Sequence, residues 1–243
     1  MSIYKTSQDT YDFTRVKELD RIAIKLSGGA DSAAVGLMLW DTIHNTCPDT
    51  DIVVCTTRHQ GKVFQEDHSR AVMNWLCNKY PNVKVHSHLI NQNPAYKIQG
   101  KPNVSIQYVK YQEHLMDYCY DELGVQGHFS GITRNPPKEV YEQFYHKPGT
   151  DNGALMLGPT DNRDSQEEKR PHLDWGLRKI WTPLVNTDKK GVAEIMDLFN
   201  AREELFPLTW SCELYVWPEG RHEQHCDDCW FCKERLWGFG SYK

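Results

Sequence analysis

The run Arg21-Ile-Ala-Ile-Lys-Leu-Ser-Gly-Gly-Ala-Asp-Ser32 changes character halfway along. Its first half is a short β-type apolar stretch. It then breaks at Gly28 and Gly29, and Ala33 to Ile43 reads as a helix. Strand, glycine turn and helix in that order open a βαβ unit. Working outward, Asp51 to Thr57 reads as a second strand and Glu66 to Tyr80 as a helix with Ala71, Val72, Trp75 and Leu76 inward. Val83 to Ile90 reads as a third strand, Asn91 to Asn103 as a polar loop, and Val104 to Leu123 as a long amphipathic helix. Val125 to Ser130 and Lys179 to Thr182 supply further strands, and Asp188 to Asn200 a further helix. Strands alternating with helices predict an α/β fold with a doubly wound, mainly parallel sheet.

The chain has 243 residues, which suits one large domain or one domain with a small appendage. Hydrophobic residues make up 39%, enough for a core. The longest apolar runs, such as Val35 to Trp40, fall far short of the roughly 20 residues of a spanning helix, so no membrane is expected. Met1 to Asp12 is polar and lacks the apolar stretch of a secretion signal, so the expected location is the cytoplasm. With 28 basic against 33 acidic residues the net charge is −5, which disfavours nucleic acid as a partner.

The glycine turn is suited to an anion. Without Cβ atoms at Gly28 and Gly29, backbone amides at a helix N-terminus can approach a phosphate closely. Ser27 and Ser32 add hydroxyl donors, and Asp31 can cap the helix or hold a metal ion. The turn lacks the Gly-Lys-Ser/Thr ending of a Walker A loop and the G-x-G-x-x-G dinucleotide spacing.

Of eight cysteines, four crowd the C-terminus as Cys212, Cys226, Cys229 and Cys232. Four soft thiolates match a tetrahedral zinc site, closed and hence structural. His222 and His225 flank the cluster, and either could replace a thiolate. Free thiols, or a redox or persulfide pair at Cys229 and Cys232, are the competing readings.

Ser27-Gly28-Gly29-Ala30-Asp31-Ser32 resembles the SGGxDS pyrophosphate loop of the N-type ATP pyrophosphatase superfamily, whose fold is adenine nucleotide alpha hydrolase-like. Thr182-Pro183-Leu184 with Lys189, Leu208-Thr209-Trp210-Ser211-Cys212, and the cysteine run continuing to Arg235 and Gly238-Phe239 resemble its 7-cyano-7-deazaguanine synthase family. The resemblance is carried by residues 21–40 and 180–239. Gly131 to Pro137 differs from that family's Gly-Tyr-Pro-Asp-Cys-Arg segment, and Tyr215 to His225 lengthens the span between Cys212 and Cys226.

The resemblance implies a ligase in which a deazaguanine carboxylate attacks the α-phosphate of ATP. Pyrophosphate leaves into the Ser27–Ser32 loop, ammonia displaces AMP, and a second ATP drives dehydration to the nitrile. ATP, magnesium and zinc are the implied cofactors, and a homodimer is compatible with it. Asp31, Ser32 and Lys189 become the expected catalytic set, with Lys189 as phosphate clamp. Arg58, His59, Lys62 and Arg134 follow strand ends, where such sheets bind ligands, and are the substrate-side candidates. Two alternatives are a sulfur transferase that thiolates tRNA and a non-catalytic zinc module binding nucleic acid or protein. Residues 1–205 form the expected nucleotide-binding domain and 206–243 the zinc-binding region. Within the first, 133–175 loses its periodicity and is the expected substrate lid.

Overall fold

The computed structural model describes residues 2–58, 64–92, 104–144, 172–175, 178–212, 225–227 and 229–243. The chain opens with a small hairpin, β1 (Ile3–Lys5) and β2 (Thr10–Asp12), followed by a 3-10 turn over Thr14–Glu18. The main alternation is β3 (Arg21–Lys25), α1 (Ala30–Thr46), β4 (Asp51–Arg58), α2 (Phe64–Lys79), β5 (Val85–Gln92), α3 (Val104–Asp121) and β6 (Gly127–Ser130). Then come α4 (Lys138–Phe144), β7 (His172–Trp175), β8 (Arg178–Trp181), α5 (Lys189–Leu198), α6 (Arg202–Leu205), a 3-10 turn over Phe206–Leu208 and α7 (Trp230–Phe239).

The strands form one sheet in the order β5-β4-β3-β6-β8-β7. Five are parallel, and β7 closes the edge as the antiparallel partner of β8. The chain winds outward from β3 to β5, then crosses back to build β6 and β8 on the other side. The reversal falls between β3 and β6, the crevice where open α/β sheets hold ligands. This is the doubly wound α/β architecture expected from the alternation of elements.

Strand periodicity explains how the sheet is covered. Ile22 and Ile24 of β3, with Ile52 and Val54 of β4, join one core with α1, α2 and α5. The intervening Ala23, Val53 and Cys55 face the other way and pack with Cys119 of α3 and Val125. Successive residues of a strand point to opposite faces, so a strand apolar throughout must be buried on both. Arg178 of β8 pairs with Asp117 and Asp121 of α3, which ties the second layer to the sheet edge.

Several elements are absent from the sequence reading. The hairpin buries Tyr4 and Tyr11, and Phe13 behind it stacks on Phe129 of β6. The 133–175 segment, expected to be irregular, contains α4 and β7; residues 145–171 lie outside the described residues, and the lid expectation rests mostly on them. No helix among the described residues is long and apolar enough to cross a membrane.

Candidate functional site

The phosphate-loop residues sit between the end of β3 and the start of α1. Gly28 has φ +78°, a left-handed conformation that suits glycine, and a Cβ there would meet the Cβ of His68 at 2.7 Å. The loop is braced from within. Ser32 Oγ donates to Gly29 O at 3.0 Å and accepts from Ser27 N at 3.2 Å, and Gly29 N donates to Ser27 Oγ at 3.4 Å. Gly29 is the N-cap of α1, and no side chain caps the helix. The positive end of a long helix therefore opens on the crevice between β3 and β6, which suits an anion.

From the other side of the crevice, the chain leaving β6 passes directly over the helix start. A Cβ on Gly131 would lie 2.6 Å from Ser32 N, so only glycine permits that approach. Two residues on, Thr133 Oγ1 donates to Asp31 Oδ2 at 3.3 Å.

Lys189 is the first residue of α5 and its side chain is buried. Its Nζ lies 2.5 Å from both carboxylate oxygens of Asp31, so residues 158 apart in sequence share one ion pair at the mouth of the loop. Asp188 is the α5 N-cap and accepts from Lys190 N at 2.9 Å. Arg134 pairs with Asp188 Oδ2 at 3.2 Å, and Gln8 donates to Asp188 Oδ1 at 2.7 Å. Gln8, from the turn between β1 and β2, has no sequence signal that could have placed it here.

The structure thus brings together Ser27 to Ser32, Lys189 and Arg134. Arg58 ends β4, and His59 and Lys62 lie outside the described residues. Thr133 and Asp188 complete the site unforeseen. Thr133 carries no motif, and Asp188 entered the sequence reading only as the start of a helix, its capping role coming from the structure.

The four C-terminal cysteines meet in one group, linked to the loop through Trp210. Their sulfurs all lie within 4.8 Å of one another, with Cys226 and Cys232 3.7 Å apart. A tetrahedral ion with metal–sulfur bonds of about 2.3 Å separates its sulfurs by about 3.8 Å, so the group fits a single ion and could hold a metal. Cys229 N donates to Cys226 Sγ at 3.1 Å, as a thiolate ligand accepts, and Asp227 between them takes φ +62° to turn the chain. Hydrogen bonding, first from Cys212, drives the Cys226 thiol well down, while hydrogen bonding toward Cys212 and Cys226 pushes Cys229 and Cys232 up. A bound cation would relieve that conflict. His225 is not among the four. It stacks on Trp210 at 4.3 Å and on Tyr242 at 5.2 Å, and burial holds it neutral with its pKa lowered to about 3. His222 lies outside the described residues.

No family model matches the chain, and no curated protein matches it. Among solved structures it is similar to the U34-tRNA thiolase NcsA from Methanococcus maripaludis with its 4Fe-4S cluster, at a TM-score of 0.47 and 13% identity. The similarity covers 75% of this chain and 57% of the thiolase, so the chain spans little more than half of that protein's length.

Proposed function

We propose that the chain is an ATP-using enzyme of the pyrophosphatase-loop class, which cleaves ATP between the α and β phosphates and transfers AMP to an acceptor oxygen. Residues 1–205 form its nucleotide-binding body and 206–243 its metal-binding region. One observation carries the reading. The uncapped start of α1, wrapped by the Ser27–Ser32 loop, faces the β3–β6 crevice with Lys189 held over it by Asp31.

In this reading the acceptor oxygen attacks the α-phosphorus, and the bond to the β-phosphate breaks. Pyrophosphate is received by the loop amides and the Ser27 and Ser32 hydroxyls. Lys189 supplies positive charge where the phosphates become more negative, and no enzyme nucleophile is needed. Magnesium bound with ATP would screen phosphate charge, and Asp31 is the carboxylate placed to hold it. The four-cysteine group is read as a zinc site of structural type, since four sulfurs leave no open position.

Two finer readings share this first step and differ in the nucleophile that follows. In one, the acceptor is a deazaguanine carboxylate and ammonia displaces AMP on the way to a nitrile. In the other, the acceptor is a tRNA base and sulfur displaces AMP. The second is favoured by the position of the cysteines, provided that one of them leaves the ion to carry sulfur. Trp210 N donates to Gly28 O at 2.8 Å, Cys212 follows two residues later, and Cys226 is the least buried of the four.

Acceptor-dependent AMP release separates the readings. Turnover with a deazaguanine acid plus ammonium supports the first, and turnover with tRNA plus a sulfur donor supports the second.

A further inference from the structure

Arg235 is a buried cation that makes no ion pair among the described residues, where Cys232 first and then Asp31 are the negative groups that favour its charge. It has no exposed surface, and its guanidinium lies 3.7 Å above the Phe206 ring. Every donor is used. Nη1 donates to Thr209 Oγ1 at 2.9 Å and Ser211 Oγ at 3.1 Å, Nη2 to Phe206 O at 2.9 Å and Thr209 O at 3.2 Å, and Nε to Tyr242 O at 3.1 Å. All five acceptors are neutral, and among the described residues no carboxylate forms an ion pair with it. Hydrogen bonds satisfy the geometry of a buried guanidinium, but its charge still needs a counter-charge.

The nearest source is one helical turn away. Cys232 precedes Arg235 by three residues on α7, which places both on one face of the helix. Four thiolates around a divalent ion carry a net charge of about −2, so the loaded cysteine group is an anion at the right place.

The acceptors of Arg235 lead to the phosphate loop. It holds the backbone of Phe206 and Thr209, and the next residue, Trp210, donates its amide to Gly28 O at 2.8 Å. His68, whose Cβ borders Gly28, donates to Leu208 O at 2.7 Å and stacks on Trp210 at 5.2 Å. Gly238, in the next turn of α7, lies directly against Lys189. The segment 206–212 is thereby clamped between the cysteine group and the loop.

We propose that Arg235 is the charge partner of the metal-loaded cysteine group and the positioning residue of the phosphate loop, so that metal occupancy sets nucleotide affinity. The proposal rests on the nucleotide-binding reading of that loop. It makes the tail a control on the site as well as a brace for the fold.

The test measures ATP dissociation constant, zinc content and far-UV circular dichroism on the full chain. Wild type and Arg235→Lys are each compared zinc-loaded and after chelation. Removing zinc from wild type is expected to weaken ATP binding at least tenfold while the sheet signal is kept. Arg235→Lys keeps the cation but loses the planar fork. It should hold zinc within about threefold of wild type yet bind ATP like the zinc-free protein. Thr209→Val, which removes one acceptor and leaves Arg235 in place, should weaken ATP binding in the same direction.

Zinc-free wild type that binds ATP as tightly as the loaded form overturns the proposal, as does Arg235→Lys with wild-type ATP affinity. Loss of the sheet signal on chelation also overturns it, because the metal would then support the whole fold. Zinc-loaded wild type that binds no ATP contradicts the nucleotide reading itself, an outcome distinct from the other three.

Discussion

Ser32 is the residue whose removal isolates loop chemistry from folding. Among the described residues its hydroxyl bonds to Ser27 N, Ser27 Oγ and Gly29 O within the turn, so Ser32→Ala removes neutral hydrogen bonds worth roughly 1 kcal/mol of stability each. In the proposed mechanism the hydroxyl turns from Gly29 O to the developing phosphate charge, and losing that donor should lower AMP formation about a hundredfold. Near-wild-type turnover by a well-folded Ser32→Ala protein would remove the loop from the mechanism. Asp31 and Lys189 behave differently because each shields the other. Breaking a buried pair from one side leaves a stranded charge and costs ~3 kcal/mol. Asp31→Asn and Lys189→Met should therefore each destabilise, and the double variant by clearly less than their sum, in a denaturant-melting cycle. Strict additivity would mean the pair is no energetic unit. Asp31 was legible in the motif and Lys189 through the family resemblance, but their pairing was not, because Lys189 reaches Asp31 only through the crossing of the sheet.

At the scale of elements, β3 and β4 were legible because strands buried on both faces are apolar throughout. The hairpin strands β1 and β2 are three residues each, too short for any period to register. Helix α7 hid for another reason. It buries Glu234 and Arg235 among Trp230, Cys232 and Phe239, so no polar face marks it as amphipathic.

The sheet also has a pH response written into its strands. His128 of β6 and His88 of β5 are both lowered to about 4 from the ordinary 6.5, by burial first and by Lys25 and Arg70 respectively. Both are neutral in the fold, so below 6.5 the unfolded chain takes up protons first. The stability they contribute is whole above pH 6.5 and drains away as pH falls toward 4. For the enclosed His128 the depression corresponds to roughly 3 kcal/mol at about 1.4 kcal/mol per unit. Melting at pH 7 and 4.5 should show the loss, and His128→Leu should flatten the slope. An unchanged slope in that variant would contradict a buried neutral histidine.

For the whole molecule, the tail and the sheet cannot be treated as independent. Phe239 of α7 stacks on Phe206 at 4.0 Å and both belong to the main core, while Trp210, two residues before Cys212, bonds to Gly28 of the phosphate loop. Protein purified without chelators should carry about one zinc per chain and lose melting temperature on chelation. Metal-free protein of full stability would sink the structural-ion reading. The spacing of the cysteines announced that group in the sequence, but nothing there announced its link to the loop through Trp210.

The central claim is cleavage of ATP at the α–β bond, and phosphorus-31 NMR of ATP turnover with each candidate acceptor tests it most directly. AMP and pyrophosphate should appear together, in equal amounts and only when an acceptor is present. Release of ADP and inorganic phosphate would contradict the account.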